Sequence, residues 1–169
     1  MMHNYRFKLI KFIKLSFFLF FSVSASAASI STQIYGTDDK HEAKGSITFK
    51  NSPGGLLIHS NLHDLPPGPH GLHIHQNKSC GDDGMKAGGH LDPNKTNSHQ
   101  GPYGKGHLGD LPVLYINADG KSLTSMLAPR LSIDDIKKRS IMIHAGSDNY
   151  TNTPPMGGGG PRIACGIIQ

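Results

Sequence analysis

Beyond residue 28 the chain alternates apolar and polar side chains in short runs, as strands with one wet face do. Ile30–Tyr35 alternates weakly and Ser46-Ile47-Thr48-Phe49-Lys50 strictly. Leu56-Leu57-Ile58 resumes after the turn residues Asn51-Ser52-Pro53-Gly54-Gly55, and Leu65-Pro66-Pro67-Gly68-Pro69 stops that strand. Further strands are predicted at Gly71–Gln76, Val113–Asn117, Ser122–Leu127, Ser140–His144 and Arg162–Ile168. Asp119-Gly120 predicts a hairpin leading into Ser122–Leu127. Ser132-Ile133-Asp134-Asp135-Ile136-Lys137-Lys138 is the single helical stretch, with Ser132 as N-cap, Asp135 three residues on and a basic end. About eight short strands, frequent turns and one short helix predict an all-β antiparallel barrel or sandwich.

Two connections depart from that economy, Cys80–Leu111 and Gly146–Pro161, both rich in Gly and Pro. Structureless connections longer than about 12–15 residues are usually functional or disordered. The first belongs to the stretch His70–Asp110, which holds six of the chain's 11 histidines. His is the commonest metal-binding side chain, so this density points to a metal site.

Residues 1–14 carry Arg6, Lys8, Lys11 and Lys14 and no acidic residue; Leu15–Val23 is apolar, and Ser24-Ala25-Ser26-Ala27-Ala28 follows. A basic start, a short apolar run and an Ala-x-Ala site describe a secretory signal over residues 1–27, leaving one domain over 28–169. The run is shorter than the roughly 20 apolar residues that span a bilayer, so no stable membrane association is expected after cleavage. The signal holds four of the 17 Lys and Arg and none of the 12 acidic residues, so the formal charge of +5 falls to +1 without it. With a net charge this small and no basic stripe, no nucleic-acid partner is expected. Cys80 and Cys165 are the only cysteines. An even pair in an exported chain predicts a disulfide joining the start of the long loop to the last strand.

His73 and His75, two apart on a strand, project from one face with Cα atoms about 6.6 Å apart. His144 ends another strand, and three imidazoles on adjacent strand ends make a nitrogen-only site that suits Cu(II) better than zinc. The loop offers His90, His99, His107 and Asp110, whose three nitrogens and one carboxylate match a closed tetrahedral zinc site.

His70-Gly71-Leu72-His73-Ile74-His75, Gly89-His90-Leu91-Asp92-Pro93, His107-Leu108-Gly109-Asp110-Leu111-Pro112 and Gly160-Pro161-Arg162-Ile163-Ala164-Cys165-Gly166 together closely resemble copper/zinc superoxide dismutase. Gly101-Pro102-Tyr103-Gly104, Met142-Ile143-His144-Ala145-Gly146 and the export signal look like its bacterial periplasmic branch. The resemblance implies a Greek-key β-barrel whose site lies outside the barrel under the two long loops. It implies one copper per subunit on His73, His75, His90 and His144, and one zinc on His90, His99, His107 and Asp110. His90 would bridge the two ions, and Asp148 would link His73 to His99. Arg162 matches the family's active-site arginine, with superoxide anion as substrate, and Arg162 and His90 carry the catalytic roles. Periplasmic protection against superoxide follows, and a homodimer stays open. His70 is kept out of the ligand set as a structural residue, while His41 is expected in solvent and His59 and His63 at the surface or on strands. Leu72 replaces the Phe common in the family, and Asn149–Pro161 contains no Lys, Asp or Glu, which puts steering from that loop in doubt. Two other classes make different demands on the chain. A non-catalytic copper or zinc carrier predicts a missing copper ligand or a missing arginine, and a zinc hydrolase needs an open zinc position.

Overall fold

The computed structural model describes residues 1–2 and 29–169; apart from its first two residues, the expected export signal lies outside them. The described chain runs β1 (Ser29–Gly36), β2 (Ala43–Ser52), β3 (Gly55–Leu62), β4 (Gly68–His70), β5 (Leu72–His75), β6 (Leu114–Ile116), β7 (Ser125–Ala128), α1 (Ile133–Ile136), β8 (Ser140–His144) and β9 (Arg162–Ile167). Seven strands form one antiparallel sheet in the order β5-β8-β9-β1-β2-β3-β7, and β4 pairs with β6 beside it. All seven send side chains into one core, from Ile34 of β1 and Phe49 of β2 to Ile141 of β8 and Ala164 of β9. A single core filled from every strand requires the sheet to curl, which agrees with the expected barrel. Leu114 and Ile116 bring the small ladder onto the same core. No helix among the described residues is long and apolar enough to cross a membrane.

The alternation read from the sequence reappears as burial. β1 and β3 bury every second residue, because side chains of a strand point to opposite faces in turn. The helix is one turn. Asp135 accepts from the backbone N–H of Ser132 at 2.8 Å, and Asn51 Oδ1 takes the first free N–H, that of Ile133, at 2.8 Å.

Two local expectations need correction. β4 falls in the stretch read as a strand stop, with Pro69 opposite Tyr115 of β6. A three-residue ladder beside the main sheet tolerates a residue with no N–H to give. The Asp119-Gly120 turn does form, with Gly120 N–H bonded to Asn117 O at 3.0 Å and a left-handed φ of 73°. Its flanking strands nonetheless do not pair: β6 joins β4, and β7 joins β3. After the turn Ser122 bridges to Leu62, and its hydroxyl meets that of Ser60 at 2.9 Å in a buried polar cluster. That contact hands the chain to the open edge of β3.

Candidate metal centre

β5 reads Leu72-His73-Ile74-His75, and all four residues are buried. Leu72 and Ile74 enter the core, so the alternation turns His73 and His75 to the other face. β8 pairs with β5 so that Met142 lies opposite His73. Opposed residues share a face, and two residues further His144 does too, beside a register shift between Ile143 and His144. Three imidazoles thus project from one wall on regular, hydrogen-bonded backbone.

β5 is an edge of the large sheet, and the long loop covers that edge. Ile74 donates to Gly109 O at 2.9 Å, Leu91 to Ile74 O at 2.8 Å, and Gly109 to Leu91 O at 2.9 Å. These bonds set His90 across from His75 and Asp110 across from His73. The packing leaves no room for a side chain at 109, where a Cβ would stand 2.2 Å from Ile74 O.

The histidines form two groups that share members. His73, His75, His90 and His144 hold their donor atoms within 4.8 Å of one another. In the second group, Asp110 Oδ1 is flanked by the Nδ1 atoms of His99 at 2.9 Å, His90 at 3.1 Å and His107 at 3.4 Å. Ligands about 2.0 Å from a tetrahedral zinc lie about 3.3 Å apart, so these spacings suit such an ion. By proximity alone His73 also clusters with His90, His99 and Asp110. His73 already belongs to the first group and has one unpartnered nitrogen, Nδ1, whereas His107 brings a further unpartnered Nδ1 to 3.4 Å from Asp110 Oδ1. His90, His99 and His107 thus stand around Asp110 as candidate donors, the set expected from the sequence.

Buried polar atoms rarely lack partners in folded proteins. Among the described residues seven buried side-chain polar atoms do, and six are imidazole nitrogens of this cluster. They are Nδ1 of His73, His99 and His107, and Nε2 of His75, His90 and His144. Other nitrogens of the same rings are held from outside. His75 Nδ1 donates to Gly88 O at 2.9 Å and His144 Nδ1 to Gly160 O at 3.1 Å. His73 Nε2 donates to Asp148 Oδ2 at 2.6 Å, and His99 Nε2 to Asp148 Oδ1 at 2.7 Å. Such outer bonds select the tautomer and aim the free nitrogen inward. His90 alone faces both ways, with Nδ1 beside Asp110 and Nε2 unpartnered.

Electrostatics agree with the geometry. Burial pushes His73 down to about 3, His75 to about 2 and His144 to about 4, with His90 adding to each. These rings are neutral and able to bind a cation. Burial would also push His99 down, but its contacts with Asp110 and Asp148 prevail and lift it to about 9. Burial would raise Asp110 and Asp148, yet their histidine partners hold both well below the usual carboxylate range. A buried cluster that keeps two carboxylates ionised, one proton on His99 between them and five further nitrogens unpartnered fits dications, which take the place of such a proton.

Arg162 opens the last strand at the rim. Its guanidinium donates to Gly84 O at 2.6 Å and Gly88 O at 2.7 Å, and it lines a cavity of about 300 Å³ with His90 and His144. Three residues on, Cys165 is joined to Cys80 by the expected disulfide, which ties the Gly84–Gly88 segment to β9. His70 has no nitrogen to spare, since both face carbonyls, His144 O at 2.7 Å and Pro66 O at 2.8 Å. His41 is exposed and stacks on Tyr35; His59 and His63 are partly exposed and bond Ser125 and Asp64.

The sequence reading missed Arg130, whose side chain reaches four carbonyls of the long Cys80–Leu111 loop, those of Gly101, Pro102, Gly106 and His107. Its partners lie 23 to 29 residues away, and nothing in its own neighbourhood marks it. Asn152 was missed for the same reason; its Oδ1 accepts the His99 N–H at 2.7 Å.

The family model "Copper/zinc superoxide dismutase (SODC)" matches residues 43–168. The superoxide dismutase [Cu-Zn] of Legionella pneumophila is 52% identical over 151 residues, covering 89% of this chain and 93% of that protein. Cu/Zn superoxide dismutase from Brucella abortus superposes with a TM-score of 0.80 at 44% identity, over 84% of this chain and all of that one. The monomeric copper, zinc superoxide dismutase from Salmonella enterica gives 0.73 at 45% identity, again over 84% of this chain and all of its own.

Proposed function

This chain belongs to the copper/zinc superoxide dismutase family, and we propose that it dismutes superoxide at the two histidine groups described above. Two superoxide anions and two protons become one O₂ and one H₂O₂. One copper per subunit would be held by His73 Nδ1 and by Nε2 of His75, His90 and His144, a nitrogen-only set that suits copper. One zinc would be held by Nδ1 of His90, His99 and His107 with Asp110 Oδ1, a closed set that suits a structural ion. The observation that carries this assignment is the row of unpartnered buried nitrogens, divided between two groups that meet at His90.

When bound, copper supplies the one-electron chemistry, accepting an electron from one superoxide and giving it to the next. The protein supplies charge, orientation and a proton. Arg162 presents a permanent cation at the cavity where a small anion must arrive, and a planar guanidinium docks such anions well. Gly84 O and Gly88 O hold that cation in place, and the disulfide holds their segment. His90 would be the proton carrier: it lines the cavity of Arg162, its buried Nε2 is unpartnered and could hold a proton for the peroxide product, and its Nδ1 is anchored beside Asp110. Asp148, bonded to His73 and His99, keeps the rings of the two groups in mutual register.

Residues 1–27 direct the enzyme to the periplasm, where it removes superoxide met outside the cytoplasm. The paired cysteines support an oxidising compartment. The test is metal content and superoxide decay measured on the protein and on His144→Ala. Wild type should bind copper and zinc one to one and accelerate the decay; the variant should lose copper and nearly all activity. Stoichiometric copper without activity would instead favour a copper carrier.

A further inference from the structure

The cavity at Arg162 has lining residues that the dismutase reaction does not use. Met85 and Met156 border it together with His90 and His144. Met85 sits on a one-turn 3₁₀ helix between the two glycines whose carbonyls hold Arg162, and it is 60% exposed. Packing does not account for so exposed a thioether. Met156 sits on the opposite loop with φ 58° and ψ 34°. That left-handed conformation strains a long side chain, and glycine would adopt it freely. Strained backbone at a cavity is a reason to look for function.

We propose that Met85 and Met156 form a docking site for monovalent copper at the mouth of this cavity, from which the ion passes to the imidazoles of His90 and His144. Thioethers are soft donors that select Cu(I). Both cysteines are consumed by the disulfide, so methionine is the only soft donor this chain has left. Charge would not attract a cation here, because Arg162 lines the same space. Bonding to neutral, polarisable sulfur must do so instead. Each side chain turns about three bonds, which lets the pair close on an ion and release it inward. No electron moves in the transfer; copper leaves sulfur and reaches nitrogen with its valence unchanged. A docked ion also meets the inner nitrogens at an effective concentration on the order of millimolar, far above any free supply.

This inference rests on the copper assignment above, so the experiment reads the two separately. Protein labelled with ¹³C in the methionine methyl groups is purified metal-free, and a Cu(II) titration first reports the imidazole site by its visible absorption. A second sample is titrated with Ag(I), a redox-inert soft cation. The methyl resonances of Met85 and Met156 should shift while that of Met126, packed against the core, stays. Copper uptake from a Cu(I)–chelator complex should slow by about tenfold in Met85→Leu/Met156→Leu, and remain at the wild-type rate in Met126→Leu. Met85→Leu alone, at an exposed position, should already slow it and guards against misfolding of the pair. Normal Cu(II) binding with unmoved methyl resonances, or with unslowed uptake, overturns the docking site alone. Absent Cu(II) binding overturns the copper assignment and this inference with it.

Discussion

Arg130 is the sharpest point at which to test how the second metal group is built. It sits in the turn just past β7, two residues beyond Ala128, and donates Nε to Pro102 O at 3.0 Å, Nη1 to Gly106 O at 3.0 Å and Nη2 to Gly101 O at 3.2 Å, with His107 O completing the set. One planar cation thus gathers the loop that carries His107 and brings it against the sheet. Hydrogen bonds from a charged group contribute about 1.5–3 kcal/mol each in favourable settings. Arg130 is only half-buried, and the four carbonyls can turn to water when it is removed, so the contributions do not add. A combined loss of about 2–4 kcal/mol is expected in Arg130→Met, or about 30- to 1,000-fold in zinc affinity. Arg130→Lys should recover less than half, because an ammonium is a point donor that cannot span four carbonyls. Competition against a chromophoric chelator measures zinc affinity directly. Thermal unfolding with and without zinc gives a second reading, since weaker binding narrows the gap between the two midpoints. If Arg130→Met holds zinc within about threefold of the parent, the loop is ordered by the ion alone and the clamp has been misread.

Breaking the disulfide with Cys80→Ser/Cys165→Ser frees a connection of 85 residues and should cost about 3–5 kcal/mol in denaturant unfolding. Dismutase activity should fall as well, because Gly84 and Gly88 no longer hold Arg162 in place; stability lost with full activity would separate the bridge from the site. Gly157→Ala should cost about 2–4 kcal/mol and release zinc. Its φ is +77°, and a Cβ there would stand 2.1 Å from Asp148 Oδ1 and 2.5 Å from His99 Nε2; an unchanged melting midpoint and zinc content would show that the carboxylate link is looser than described.

Much of this protein is legible in one dimension. Ile47 and Phe49 alternate with Ser46, Thr48 and Lys50 because a strand shows its faces in turn, and that rule holds whatever the strand packs against. The same period put His73 and His75 on one wall, and the two cysteines had only each other to pair with. Tertiary structure decided what depends on contacts between distant residues. Asp119-Gly120 makes its turn locally, yet Leu62 and Ser60, some 60 residues earlier, determine that the flanking strands part. Each imidazole has two nitrogens that are equivalent on paper; Gly88 O, Gly160 O and Asp148 select which one is free. Arg130 acquires its role only when the loop folds back over it. The physical reason is common to all three. Side-chain periodicity is a property of the backbone a residue belongs to, whereas hydrogen-bond partners are supplied by whichever segment the fold brings alongside.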